Sequence, residues 1–194
     1  MERERVGRRS IAGIDYSLTS PAVCVYTGDV EDFSYELCNI FFLSNTKRYS
    51  DFCKKNIDGR GNLTEWETPE ERYDFISDWA LDIILSNDVR EVAIEDYSYG
   101  STGKVFHIAE NCGLLKWKLW QAEIPYTLLS PSAIKKFATG KGNANKESMY
   151  SSFCEESEYN LQEELLIKTT KVGNPTSDIV DAYYICKMAL KNNA

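Results

Sequence analysis

Ile11-Ala12-Gly13-Ile14-Asp15 is the stretch that decides how this chain folds. Four apolar or small residues make a buried strand, and the strand ends in an acid. A carboxylate in that position is costly unless something neutralises it. The same problem recurs twice. Val92-Ala93-Ile94-Glu95 is a second apolar run ending in an acid. Asn174-Pro175-Thr176-Ser177-Asp178-Ile179-Val180-Asp181-Ala182 then carries two acids three positions apart. On a helix that spacing puts both on one face, with Cβ atoms roughly 5–6 Å apart. They repel each other without a cation between them. Singly, Asp15 reads as a turn residue and Asp178 as an acid at a helix N-terminus. One divalent ion, or a pair about 3.5–4 Å apart, accounts for all four together. That combination points to metal-dependent phosphodiester chemistry.

The elements around these runs place them. Residues 10–15, 21–27 and 33–43 are rich in Ile, Val, Phe and Tyr and predict three strands of an antiparallel meander. Residues 44–66 are polar, with Asp58-Gly59-Arg60-Gly61-Asn62 at their centre, and read as a loop. Thr68, Pro69 and Glu71 start a helix with a capping box. Its inward stripe is Tyr73, Ile76, Ala80, Ile83 and Ile84. A fourth strand covers 91–95 and a fifth 126–129, with a helix at 103–121 between them. Ser130 and Pro131 open a short helix, a glycine loop follows at 139–145, and another helix begins near Lys146. Residues 155–172 are weakly patterned. The last helix takes Asn174 as its cap and Pro175 in its first turn.

This order predicts an α/β domain over residues 10–194, with a five-stranded mixed sheet and helices on both faces. Residues 1–9 read as a mobile basic arm. The first strand lies beside the fourth, so Asp15 and Glu95 are neighbours at one sheet end. The first turn of the last helix brings Asp178 and Asp181 to the same place.

The helix at 103–121 carries two apolar stripes. Val105, Ile108, Ala109, Cys112, Leu115 and Leu119 form one; Phe106, Gly113, Trp117 and Trp120 form the other. Such a helix needs partners on two sides. The sheet is one. The other is a second helix of this chain or a second subunit.

Composition narrows the class. At 194 residues and 43% hydrophobic content the chain can bury a core. No run approaches the roughly 18 apolar residues of a membrane span, and no apolar segment follows the charged N-terminus as in a signal peptide. We therefore expect a soluble, intracellular protein. Six scattered cysteines without a CxxC pair read as free thiols. The single histidine, His107, argues against Ser-His and Cys-His catalysis and reads as structural. The net charge of −8 is unevenly spread. Residues 101–150 hold seven lysines against three acids. They form one basic face or simply solvate surface helices.

The acidic segments also carry a family resemblance. Gly13-Ile14-Asp15-Tyr16-Ser17-Leu18-Thr19, Ile94-Glu95, the lysine and glycine segment from Ser132 to Lys146, and Asp178-Ile179-Val180-Asp181-Ala182 resemble, in order, the motifs of the RuvC-type Holliday junction resolvases. Versions from phages and large DNA viruses are the most similar. The resemblance implies an RNase H-like fold and a homodimer formed through the helix near 103–121. It implies cleavage of four-way DNA junctions that depends on Mg²⁺, with Mn²⁺ as a substitute. Asp15, Glu95, Asp178 and Asp181 are then both the catalytic residues and the metal ligands. Lys135 and Lys146 match family lysines that face DNA phosphate, and Lys104, Lys116, Lys118 and Lys136 extend that set. The aromatic that family members carry in the loop after the Glu has no strict counterpart; Tyr97 and Tyr99 stand nearby and either stack on an unpaired base, worth about 1–3 kcal/mol, or pack. Residues 44–66 have no clear family counterpart. A phage-encoded member would act in the cytoplasm of a bacterial host. A broader nuclease for Y-junctions and flaps, and a non-catalytic DNA-binding or packaging protein of the same fold, are the competing readings. An actin-like ATPase domain is disfavoured by the short chain and the lack of paired phosphate loops.

Overall fold

The computed structural model describes residues 9–61, 65–97 and 105–192. Seven strands form one sheet: β1 (Arg9–Asp15), β2 (Ala22–Gly28), β3 (Cys38–Ser44), β4 (Asp51–Lys54), β5 (Ile57–Gly61), β6 (Glu91–Glu95) and β7 (Tyr126–Leu129). Their spatial order is β4-β5-β3-β2-β1-β6-β7. The expected antiparallel meander of β1, β2 and β3 is present, and β1 pairs in parallel with β6. Among the described residues there are six α-helices: α1 (Pro69–Ser86), α2 (Val105–Gln121), α3 (Pro131–Thr139), α4 (Lys146–Ser157), α5 (Leu161–Glu164) and α6 (Thr176–Asn192). Among the described residues no helix is long and apolar enough to cross a membrane.

The sheet separates two cores. Alternation along β1 sends Ile11 to one face and Ala12 and Ile14 to the other. On the first face Ile11, Cys24, Ile40 and Ala93 meet Ile134 of α3, Phe153 of α4, and Ile179, Ala182 and Cys186 of α6. On the second, Ala12, Ile14, Val92 and Ile94 meet Ile76, Ala80 and Ile84 of α1 and Cys112, Leu115 and Leu119 of α2. Half of the expected capping box forms: Thr68 Oγ1 accepts from Glu71 N at 3.3 Å, while the Glu71 carboxylate reaches one residue beyond the cap and accepts from Glu67 N at 3.0 Å. Ser130 caps α3 and Asn145 caps α4.

Three expectations are corrected. The sheet has seven strands and not five, because residues 44–66 are not a plain loop. They contain a 3₁₀ turn at Lys47–Tyr49 and the hairpin β4–β5, joined at Lys55-Asn56. Its polar and glycine content disguised an edge hairpin. Gly59 lies under the Phe42 ring, where an added Cβ would come within 2.5 Å of the ring. The third strand starts at Cys38, since Val30–Asp32 and Tyr35–Leu37 are 3₁₀ turns. Arg9 belongs to β1, with its guanidinium paired to Glu91; the rest of the predicted arm lies outside the described residues. All six cysteines are free; Cys24, Cys38, Cys112 and Cys186 are buried as small apolar groups, while Cys53 is exposed.

Gly13 sets the distance between β1 and α6. A Cβ there would sit 2.2 Å from Cys186 N and 2.5 Å from Ala182 O, both backbone atoms of α6. Neither can rotate away. Gly13→Ala is expected to cost about 1–3 kcal/mol or more through overpacking, lowering the melting temperature by roughly 2–4 °C per kcal/mol in a chain of this size. Differential scanning calorimetry checks it. An unchanged melting temperature would mean that α6 is free to shift outward.

Candidate metal centre

Asp15 and Glu95 end neighbouring parallel strands, one position beyond the paired Ile14 and Ile94. Asp15 is two residues from Gly13, so it points to the α6 side of the sheet. Asp178 is one helical turn before Ala182, the residue that α6 lays against Gly13. The close approach at Gly13 thus carries Asp178 and Asp181 to Asp15. The four acids are coupled through space. Burial raises the Asp15 carboxyl well above the usual carboxylate range, and the charges of Asp178, Glu95 and Asp181 raise it further. Burial, then Glu95 and Asp178, push Asp181 up to about 7. Burial raises Glu95 and brings Asp178 to about 6. Lys146 opposes the shift at Asp15, Asp178 and Asp181, and Lys135 opposes it at Glu95 and Asp181.

The donors are all carboxylate oxygens, which suits a hard divalent cation and excludes a thiolate or imidazole site. Among the described residues, no three acids, histidines or cysteines are drawn in to the spacing of a ready-made cage. Uncompensated repulsion among carboxylates accounts for that spread.

Asp178 is the most tightly held of the four. Its Oδ2 accepts from Ser20 Oγ at 2.7 Å and its Oδ1 from Ser177 Oγ at 3.3 Å. Asn174 was expected as a helix cap, but α6 starts two residues later, at Thr176, and the Asn174 amide binds side chains: Nδ2 donates to Ser20 Oγ at 2.5 Å, while Oδ1 accepts from Ser177 Oγ at 3.1 Å and Lys146 Nζ at 3.3 Å. Ser20, Asn174 and Ser177 escaped the sequence reading. Asn174 and Ser177 flank Asp178, but Ser20 stood only in a turn-like Thr-Ser-Pro.

The chain is similar to known proteins. No protein-family model matches the chain. It is 36% identical over 90 residues to the crossover junction endodeoxyribonuclease RuvC of Helicobacter acinonychis, and the match covers 45% of this chain and 56% of that protein. The Helicobacter pylori protein matches to the same extent. The chain thus spans little more than half the length of the relatives it matches. The structure of Thermus thermophilus RuvC in complex with Holliday junction substrate superposes with a TM-score of 0.59 at 16% identity, over 95% of this chain and 94% of that one. The complex of Fowlpox virus resolvase with substrate Holliday junction DNA gives 0.53 at 13% identity, over 95% and 98%. The fold is that of the RuvC-type resolvases.

On this RuvC-like frame the predicted DNA-facing residues divide. Lys135 and Lys146 lie beside the acids, and Lys136 is exposed on α3. Lys116 Nζ sits 5.4 Å from the centre of the Tyr97 ring. Tyr97 is half-buried against the α1–α2 core and also lines a cleft of about 1080 Å³ that reaches Asp15 and Glu95. Packing and exposure to a ligand are therefore both met at this residue. Lys118 departs from the set. It bridges α1 and α2 by pairing with Asp74 at 2.6 Å and Asp78 at 2.5 Å, and its side chain is largely covered. Lys104 and Tyr99 lie outside the described residues. His107 Nδ1 pairs with the Tyr73 hydroxyl at 2.7 Å, and both residues line the same cleft.

Between pH 4 and 7 the folded chain holds protons on these acids that the unfolded chain has released. The metal-free protein therefore loses stability as pH rises from about 4, and the loss levels off as Asp178, at about 6, and Asp181, at about 7, give up their protons. Differential scanning fluorimetry in EDTA should show a melting temperature lower at pH 7.5 than at pH 5.5. Mn²⁺ should raise it at pH 7.5 and have little effect at pH 5.5, where protons compete. Asp181→Asn should flatten the metal-free pH slope; an unaltered slope would place the titration elsewhere.

Proposed function

We propose that this protein is a structure-selective endonuclease that resolves four-way DNA junctions by metal-dependent hydrolysis of a phosphodiester in each of two strands. One observation carries the reading: four carboxylates from three distant segments converge at the end of β1 and β6 on a RuvC-like frame, with two lysines beside them. Asp15, Glu95, Asp178 and Asp181 would hold Mg²⁺, for which Mn²⁺ can stand in. Bound there, one or two such ions supply an activated water and stabilise the leaving 3′ oxygen. The protein needs no side-chain nucleophile. Lys146 and Lys135 neutralise the phosphate as it nears the acids, and Lys116 and Lys136 extend the contact along the backbone. Tyr97 faces the adjoining cleft, where an unpaired base would stack.

Two symmetric cuts require two centres, which a twofold dimer supplies. The second stripe of α2 provides the surface: Phe106, Trp117 and Trp120 are 77%, 52% and 71% exposed. Of the two partners open to that stripe, a second copy fits, since no element among the described residues covers it. Trp117→Glu with Trp120→Glu should yield a folded monomer by light scattering. A dimer that persists would move the interface elsewhere.

Cleavage is tested with labelled four-way junction, Y-junction and linear duplex, with and without Mg²⁺. Paired nicks near the crossover are expected in the junction alone, and Asp15→Asn should abolish them while binding is kept or tightened, because a charge that repels phosphate is gone. Equal cutting of the Y-junction would make this a general debranching enzyme. Binding without cutting in either metal would leave a DNA-binding protein.

A further inference from the structure

The hydrogen bonds around Asp178 close into a ring: Lys146 to Ser177 at 3.0 Å, Ser177 to Asp178, Asp178 to Ser20, Ser20 to Asn174, and Asn174 back to Lys146. Its members come from the β1–β2 turn, the start of α4 and the segment entering α6. Ser177 has one hydroxyl proton and two acceptors in reach, Asn174 Oδ1 and Asp178 Oδ1. It cannot serve both. Ser20 has no such choice: its oxygen accepts from Asn174 Nδ2, so its only proton is directed to Asp178 Oδ2. The turn fixes Ser20 as well, since Ser20 N donates to Ser17 Oγ at 3.1 Å. Ser20 itself is 5% exposed, so water does not compete for this bond.

We propose that Ser20, aligned by Asn174, is the positioning residue that holds Asp178 with one oxygen occupied and the other turned to the cation. Ser177 then releases Oδ1 when a cation arrives, because Asn174 Oδ1 stands ready to take its proton. The carboxylate reaches the metal through one oxygen, already oriented, and the ring keeps Lys146 in place beside it. The inference rests on the metal-dependent reading of the acidic centre and names residues that the resemblance does not assign.

The test is a Mn²⁺ titration of the full-length metal-free protein followed by electron paramagnetic resonance, without DNA. Ser20→Ala should weaken Mn²⁺ binding by about 10–100-fold, the usual effect of removing a hydrogen-bond partner of a metal ligand. Ser20→Thr keeps the hydroxyl and should bind close to wild type. Asn174→Ala should weaken binding in the same direction by a smaller factor. Equal loss in Ser20→Ala and Ser20→Thr would overturn the proposal, because the hydroxyl would then not be the operative group. Wild-type affinity in Ser20→Ala, with Asp15→Asn defective, would overturn it while leaving the metal centre intact. No Mn²⁺ binding by the wild type would remove the metal-dependent reading and this inference together.

Discussion

Everything at the acidic centre depends on how close α6 comes to β1. Helices normally ride on a sheet at about 10 Å because side chains fill the gap. Here Gly13 removes the side chain, and the backbones of Ala182 and Cys186 take its place. That contact fixes both the height and the rotation of α6. Asp178 and Asp181 precede Ala182 by four residues and one, so their positions follow from it. The two-sided core supports the contact: Ile11 and Ala93 hold β1 and β6 against α6, while Ile14 and Ile94 fill the opposite face against α1 and α2.

The centre so built is electrostatically unfavourable by itself. Four acids share a partly dry site, and burial and mutual repulsion both act to keep protons on them. Lys135 and Lys146 offset part of that charge. Hydrogen bonding offsets more at Asp178, where Ser20 donates to one carboxylate oxygen and the Ser177 hydroxyl is within reach of the other. Stability lost here is recovered in the cores, and the site is left with an affinity for positive charge that the rest of the fold maintains. This is the usual relation between a strained site and its scaffold.

The sequence disclosed the parts of this arrangement that follow from local rules. Apolar runs gave β1, β2, β6 and β7. Thr68 with Glu71 marked the start of α1, and Ser130 with Pro131 that of α3. All four acids were legible because each stands at the end of an apolar run or at helical spacing. The missed features lack such a signature. The β4–β5 hairpin is polar and glycine-rich at the sheet edge, where one face meets water, so composition imitates a loop. Lys118 reads as a free surface lysine until α1 brings Asp74 and Asp78 to it. Ser20 and Asp178 are separated by 158 positions, and no periodicity connects them.

Charge poses the last question, because a chain of net charge −8 is an unexpected partner for DNA. At physiological ionic strength the field of an exposed charge fades over about 8 Å, so the local arrangement outweighs the total. On the proposed reading, the acids of the centre would themselves repel phosphate, and a cation bound among them would reverse that sign where a scissile phosphate would sit. Lys135 and Lys146 flank the same point. On the same reading the remaining acidic surface would have a use of its own: it would repel DNA that approaches by another face. A duplex sliding over the molecule would then find little to hold it, whereas a backbone delivered into the centre would meet cation and lysines together. Selectivity for substrate geometry can thus arise from an acidic protein with one neutralised entrance.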